Sequence, residues 1–133
     1  MAERFKKWKK PKIEDGKLTK YNWVVQGVDN FKLGNNVDIG AFVYINAREG
    51  VEIQDDVQIG GGVKIYSVAT IDNKKGKVIL KKNCKIGANS VIMPGVTIGE
   101  NSIVGAFSFI KTDIPPNTVA FGVPAKVYKK INE

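Results

Sequence analysis

From Leu80 onward an aliphatic residue returns at every sixth position: Leu80, Ile86, Ile92, Ile98, Val104 and Ile110. A fixed period sustained this long is the mark of stacked repeats, and it is read before local propensity. Two places ahead of the later members stand Cys84, Ser90, Val96, Ser102 and Ser108, with Ile114 after the last, all small or aliphatic. A spacing of two puts both residues on one face of an extended strand. Each hexad therefore reads as a short strand with two inward side chains and a corner. The chain is predicted to be an all-β, single-stranded parallel β-helix whose narrow interior mixes small side chains with large ones.

An earlier block keeps the beat at Leu33, Ile39, Ile45 and Val51, then slips by two to Ile53, Ile59 and Ile65, which predicts a bulge or small excursion near 50–53. Gly34, Gly40, Gly60, Gly87, Gly99 and Gly105 follow members of the series and suit corners or close backbone approaches. Between Ile65 and Leu80 the beat fails over polar residues, lysines and Gly76. Residues 67–79 are read as a loop thrown out from the wall, either a functional loop on a rigid scaffold or a tolerated insertion. Three hexads make one turn of a triangular prism, so the blocks at 33–66 and 80–115 give about four rungs, roughly 4.8 Å apart. So short a column needs its ends covered. Residues 1–32, with Phe5, Trp8, Tyr21, Trp23 and Phe31, are assigned to one cap. Pro115-Pro116 cannot donate to a continuing ladder, so the second block is expected to stop near Ile114 and residues 116–133 to leave the prism as a tail.

At 133 residues the chain fits one domain. It contains no histidine, so no Ser-His-Asp or Cys-His nucleophile and no three-histidine zinc site can be built from it, and no metal is expected. The lone Cys84 excludes an intramolecular disulfide, and its inward place in the repeat reads as core packing, not as a nucleophile. Lys and Arg number 21 against 13 Asp and Glu, a formal net charge of +8. That excess suits an anionic partner: nucleic acid, a membrane surface or a phosphorylated small molecule. The arm RFKKWKKPK has the composition for phosphate contact, yet no recognition motif follows it, and no nucleic-acid partner is assigned. No apolar run approaches the roughly 18 residues of a membrane span, and the lysine-rich N-terminus lacks the apolar block of a signal peptide. A soluble, cytoplasmic protein is the expectation.

The segment KIGANSVIMPGVTIGENSIVGAFSFIKTDIPPNTVAFGVPAKV, residues 85–127, closely resembles the C-terminal half of hexapeptide-repeat acyltransferases, in particular sugar acetyltransferases. Residues 33–66 resemble the family more weakly. The resemblance implies a left-handed coil, a homotrimer, and acetyl-CoA as cosubstrate in a groove between neighbouring subunits, with surface polysaccharide synthesis as the setting. Handedness and trimer come from the family alone, since a period of six shows neither, and a left-handed coil is an exception to the right-handed crossovers of parallel sheets. By this resemblance the pantetheine arm runs along Ala88, Gly105 and Ala106, where small residues let an extended amide chain approach the backbone. Lys111, Thr112, Pro124 and Lys126 lie near the adenine and phosphates, and Lys85 is a further cofactor contact. Lysine beside phosphate is ordinary charge pairing. Apart from the motif, Ala88 and Ala106 read as corner residues and Lys126 as a solvated charge.

Family members that acetylate sugar hydroxyls usually carry a histidine close after the strand that ends here as VKIYS, where this chain continues VAT. A sugar hydroxyl is barely ionised at neutral pH, and a placed base is typically worth about 10²–10⁴ in rate. An amino sugar titrates nearer an α-amino group, at about 7.7–8.0, so roughly a tenth is already neutral at pH 7. The missing base moves the expected reaction from O-acetylation towards N-acetylation of an amino sugar, nucleotide-linked in the fullest form of this reading. Asn46 falls where related sugar acetyltransferases place a substrate-binding asparagine, and Tyr66, Ser67 and Thr70 are further substrate-side candidates. Asp72 is the candidate to accept the amine proton, or else caps a turn. Lys74, Lys75, Lys77, Lys81 and Lys82 either contact CoA or a nucleotide diphosphate, or form a solvated face. Two alternatives stand beside this reading: O-acetylation with a base other than histidine, and a β-helix scaffold that kept the fold and lost the chemistry. A carbonic anhydrase on the same fold is removed by the absence of histidine, and an ice-binding helix by the lack of an outward threonine array.

Overall fold

The computed structural model describes residues 7–131, so Phe5 of the expected cap lies outside the described residues. The chain winds into a triangular coil of about five turns with three parallel sheets as its faces. The first face stacks Val24–Gln26, Tyr44–Asn46, Lys64–Tyr66, Val91–Ile92 and Phe109–Ile110. The second stacks Phe31–Leu33, Val51–Ile53, Val78–Leu80 and Thr97–Ile98. The third stacks Asp38–Ile39, Gln58–Ile59, Lys85–Ile86, Ile103–Val104 and Thr118–Gly122, after which Ala125–Lys130 turns back antiparallel as the edge strand.

Register places like over like inside the coil. Ile45, Ile65, Ile92 and Ile110 pair in succession on the first face, Ile53, Leu80 and Ile98 on the second, and Ile59, Ile86, Val104 and Ala120 on the third. All are buried, and each large aliphatic contributes roughly 1.5–3 kcal/mol by leaving water. Ser90, Ser102 and Ser108 occupy the second inward rows, also buried. Their hydroxyls donate to backbone carbonyls at Gly105, Pro115 and Gly105, respectively. Cys84 lies in the same buried system, and burial pushes its thiol up to about 12.

Three expectations from the sequence change. The coil has about five turns instead of four, because Val24–Gln26 and Phe31–Leu33 already pair with the strands of the next turn. The prolines do not end it: Ile114 bridges Ile98, Pro115 and Pro116 fall at the following corner, where no ladder donor is needed, and Thr118–Gly122 continues the third face. The two-residue slip sits at 47–50, not 50–53. Val51 and Ile53 are the regular inward pair of one strand, and the surplus is taken up at the corner before it. That corner, between the first and second faces, holds every long connection: a short 3₁₀ turn at Val28–Asn30, the turn at 47–50, and the loop at 67–77. The loop is itself a small hairpin, Val68–Ala69 against Lys74–Lys75, with Ile71 fully exposed at its tip.

The glycines of the series fill both roles, sitting at corners and approaching the next turn closely. A Cβ on Gly60 would stand 2.7 Å from the backbone nitrogen of Ala88, with no left-handed φ involved. Left-handed φ falls to Asn36, Asp56, Asn83, Asn101 and Asn117, one per turn, at the corner between the second and third faces, and to Phe42, Gly62, Asn89 and Phe107 at the corner between the third and first. Short polar side chains tolerate that conformation best among residues with a Cβ. At the N-terminal end Trp8 donates its indole N–H to the Val37 carbonyl at 2.9 Å. Ile13 packs on the core, Trp23 is buried, and Tyr21 is half exposed. Asp15 accepts from the Gly27 and Val28 amides at 2.7 and 3.0 Å, and those two donors, that of Val28 foremost, hold its carboxyl below the usual carboxylate range. Among the described residues no helix is long and apolar enough to cross a membrane.

Candidate active site

The first face carries a polar row at its C-terminal edge, because Gln26, Asn46 and Tyr66 are register partners in consecutive turns. Asn46 projects outward yet is only 7% exposed, since the chain folds over it at the long-connection corner. Its side-chain oxygen accepts from the Arg48 amide at 3.1 Å and from the Ser67 hydroxyl at 3.4 Å. Ser67, fully buried, accepts in turn from the Glu49 amide at 2.9 Å. Tyr44 donates its hydroxyl to the Gln26 side-chain oxygen at 2.5 Å, and its ring lies 5.6 Å from that of Tyr66. Asn46, Tyr66 and Ser67 are therefore gathered at one place, as three of the four substrate-side candidates. Thr70 stands further out, in the projecting hairpin. Asp72 lies near the same tip, its carboxylate 3.8 Å from the Lys74 ammonium. Beside the row, a depression of about 450 Å³ opens between Asp29, Arg48, Glu49 and Lys77.

Gln26, Tyr44, Arg48 and Glu49 were not singled out from the sequence. The signal for Gln26 and Tyr44 was a second period, of 20 residues, that stacks the outward positions of the first turns.

The cofactor-side candidates divide between two places. Lys85 points outward from the third face, and Ala88 follows it at the corner leading back to the first face. Gly105 and Ala106 occupy the same corner one turn on, close enough that a Cβ on Gly87 would press on the Ala106 backbone. A depression of about 240 Å³ runs between Gln58, Lys85, Gly87, Ala88 and Ile103. Lys126 pairs in register with Phe121 above this corner, and Pro124 lies in the turn between their strands. Lys111 and Thr112 are not with these residues. They form the top of the long-connection corner, at the opposite edge of the first face from Ala106.

A family model described as "Hexapeptide repeat of succinyl-transferase" matches residues 31–67, and one described as "Bacterial transferase hexapeptide (six repeats)" matches residues 77–112. The galactoside O-acetyltransferase of Escherichia coli K12 is 37% identical, over 77% of this chain and 58% of that protein. A hexapeptide-repeat acetyltransferase from Vibrio cholerae, solved with acetyl-CoA, is similar with a TM-score of 0.79 at 25% identity, over 84% of this chain and 66% of that one. AntD, an N-acyltransferase from Bacillus cereus solved with dTDP and 3-hydroxybutyryl-CoA, has a TM-score of 0.72 at 26% identity, over 86% and 79%. This chain belongs to the hexapeptide-repeat acyltransferase family, and its coil is the left-handed parallel β-helix. It spans a little over half the length of the curated galactoside O-acetyltransferases it matches.

Proposed function

We propose that the chain is an acetyl-CoA-dependent acetyltransferase acting on an amino group of a sugar, nucleotide-linked in the fullest form of the reading. The observation that carries it is a wall stripped of side chains at Gly87, Ala88, Gly105 and Ala106, beside an outward Lys85, in a family whose relatives are solved with acyl-CoA. An extended pantetheine arm needs such a wall. Asn46, Ser67 and Tyr66 then serve the acceptor, with Thr70 in the hairpin.

The amine nitrogen attacks the thioester carbonyl carbon, the C–S bond breaks, and the nitrogen's proton ends on the departing thiolate, directly or through Asp72. No strong base is demanded, because an amine near pKa 8 is partly neutral at pH 7. This matches a chain without histidine. Lys111 and Thr112 stand a full face away from Ala106, so one acyl-CoA reaches both sets most simply between two copies. A homotrimer supplies that arrangement. We place it in the cytoplasm, where acetyl-CoA and nucleotide sugars are made, with polysaccharide synthesis as the setting.

A second reading, O-acetylation of a sugar, draws on the 37% identity with a galactoside O-acetyltransferase. Release of free CoA thiol, measured with acetyl-CoA against amino sugars, nucleotide amino sugars and neutral galactosides, separates the two. Turnover with amino acceptors alone supports N-acetylation, and turnover with galactosides overturns it. No turnover while acetyl-CoA still binds favours the scaffold.

A further inference from the structure

From Lys7 onward the lysine-rich run is a fixed cover over the N-terminal end of the coil. Trp8 and Ile13 pack on the core, and the Trp8 indole N–H is bonded to the Val37 carbonyl at 2.9 Å. Further along, the Gly16 amide donates to the Val25 carbonyl of the first turn at 2.8 Å. With these points held, Lys7, Lys9, Lys10 and Lys12 are left exposed on the outside of the cover. Lys12 shares Glu14 with Lys17, at 3.1 and 3.4 Å, and the neighbouring carboxylate of Asp15 is taken by the Gly27 and Val28 amides. Lys7, Lys9 and Lys10 have no acidic partner among the described residues. The turn that follows, closed by the Thr19 amide on the Trp23 carbonyl at 2.8 Å, adds two apolar side chains at the same end. Leu18 is 59% and Tyr21 51% exposed, and the Lys20 ammonium stands 5.1 Å from the centre of the Tyr21 ring.

We infer that this end of the coil docks on an anionic lipid surface, its lysines among the phosphate headgroups and Leu18 and Tyr21 at the boundary with the acyl chains. Cations clustered on one fixed face repel one another, and a plane of negative charge relieves that repulsion; each lysine held near such a surface adds to the attraction. Apolar side chains rimmed by lysines suit the headgroup boundary, where a tyrosine ring with its polar tip also settles. A nucleic acid is the competing polyanion, and the structure disfavours it. Single strands are held by bases stacked on open aromatic faces, whereas the ring of Trp8, the aromatic set among these lysines, is committed to the core. The inference is independent of the acyl-transfer reading.

Sedimentation with vesicles tests this on the full chain. Vesicles of equal parts phosphatidylserine and phosphatidylcholine should carry the protein down, vesicles of phosphatidylcholine alone should not, and added salt should release it. The double variant Lys9→Gln, Lys10→Gln should bind the anionic vesicles at least about tenfold more weakly. Leu18→Gln, which changes no charge, should bind them about threefold more weakly. No retention at low salt overturns the inference, as does either folded variant retained like the wild type. Tighter binding to a single-stranded oligonucleotide than to the anionic vesicles transfers the face to nucleic acid and overturns the lipid assignment. Should a variant fail to fold, labelling of the wild-type chain with an amine reagent decides. Anionic vesicles should shield Lys9 and Lys10 and leave Lys129 and Lys130, at the opposite end of the coil, as reactive as in solution. Equal shielding of both ends, or of neither, overturns it.

Discussion

The side-chain oxygen of Asn46 and the hydroxyl of Ser67 lie 3.4 Å apart across adjacent turns of the coil, and Ser67 also takes the Glu49 amide at 2.9 Å. Both residues are buried although Asn46 faces outward, so the contact ties the base of the projecting hairpin to the turn beneath it. A buried hydroxyl with one donor and one acceptor cannot be removed without cost. Ser67→Ala leaves the Glu49 amide unpaired and should destabilise the fold by about 1–3 kcal/mol, read from urea midpoints. Asn46→Ala should lower kcat/KM by at least about tenfold under the proposed function. An unchanged kcat/KM would remove Asn46 from the acceptor site.

Trp8 closes the N-terminal end through a single indole hydrogen bond to the Val37 carbonyl. Trp8→Phe keeps most of the apolar cover and loses only that bond, at about 0.5–1.5 kcal/mol. Trp8→Ala should cost more, because the ring also packs against the core. Thermal melts followed by circular dichroism give the ranking, and equal losses would mean the bond contributes nothing.

Asn101 holds a left-handed corner with φ of 64°, accepts from the Asn83 amide and donates to the Asn117 oxygen, both at 2.9 Å. Asn101→Gly loses the amide ladder but suits the backbone; Asn101→Ala loses the ladder and must also bear the left-handed conformation. The alanine variant should be less stable than the glycine variant by about 1–2 kcal/mol. The reverse order in chemical denaturation would refute the corner argument.

Burial raises the Cys84 thiol to about 12, so in the native state at pH 8 it should resist a thiol reagent that labels it at once in denaturant. A raised folded value also has a linkage consequence. Above the unfolded thiol's value, about 8.5, the unfolded chain ionises first, so stability should fall as pH rises from there towards 12. Fast labelling of native protein would show that the interior opens at this turn.

Asp15 carries the opposite sign. Its carboxyl is held low by the Val28 and Gly27 amides, so the stabilisation it gives is present above the unfolded value of about 3.9 and is lost as pH falls through the lower folded value. Asp15→Asn should therefore flatten the acid limb of the stability profile below about pH 4. An identical acid limb in both proteins would show that the contact is not maintained in solution.

The rows of Ile and Val inside the coil were legible because each depends only on alternation within a strand and a step of six, both local properties of the chain. The absence of histidine was legible for the same reason, being a matter of composition. The turn count, the position of the slip and the fate of Pro115-Pro116 were not. A polar corner of extra residues looks alike in sequence whether it ends a repeat or is absorbed by it, and hydrogen bonding to the next turn makes that choice.

Among the candidate residues the same division holds. Ala88 and Ala106 stand 18 residues, three hexads, apart, as do Gly87 and Gly105 just before them, and that step was enough to set them on one wall. That Gln26, Asn46 and Tyr66 form one row, that Phe121 caps the Gly105 corner, and that Lys111 and Thr112 stand a face away were decided only in three dimensions. The first two faces are joined by connections of unequal length, so which side chains become neighbours depends on how each surplus folds away at its corner. That is settled by packing between turns, which no single hexad contains.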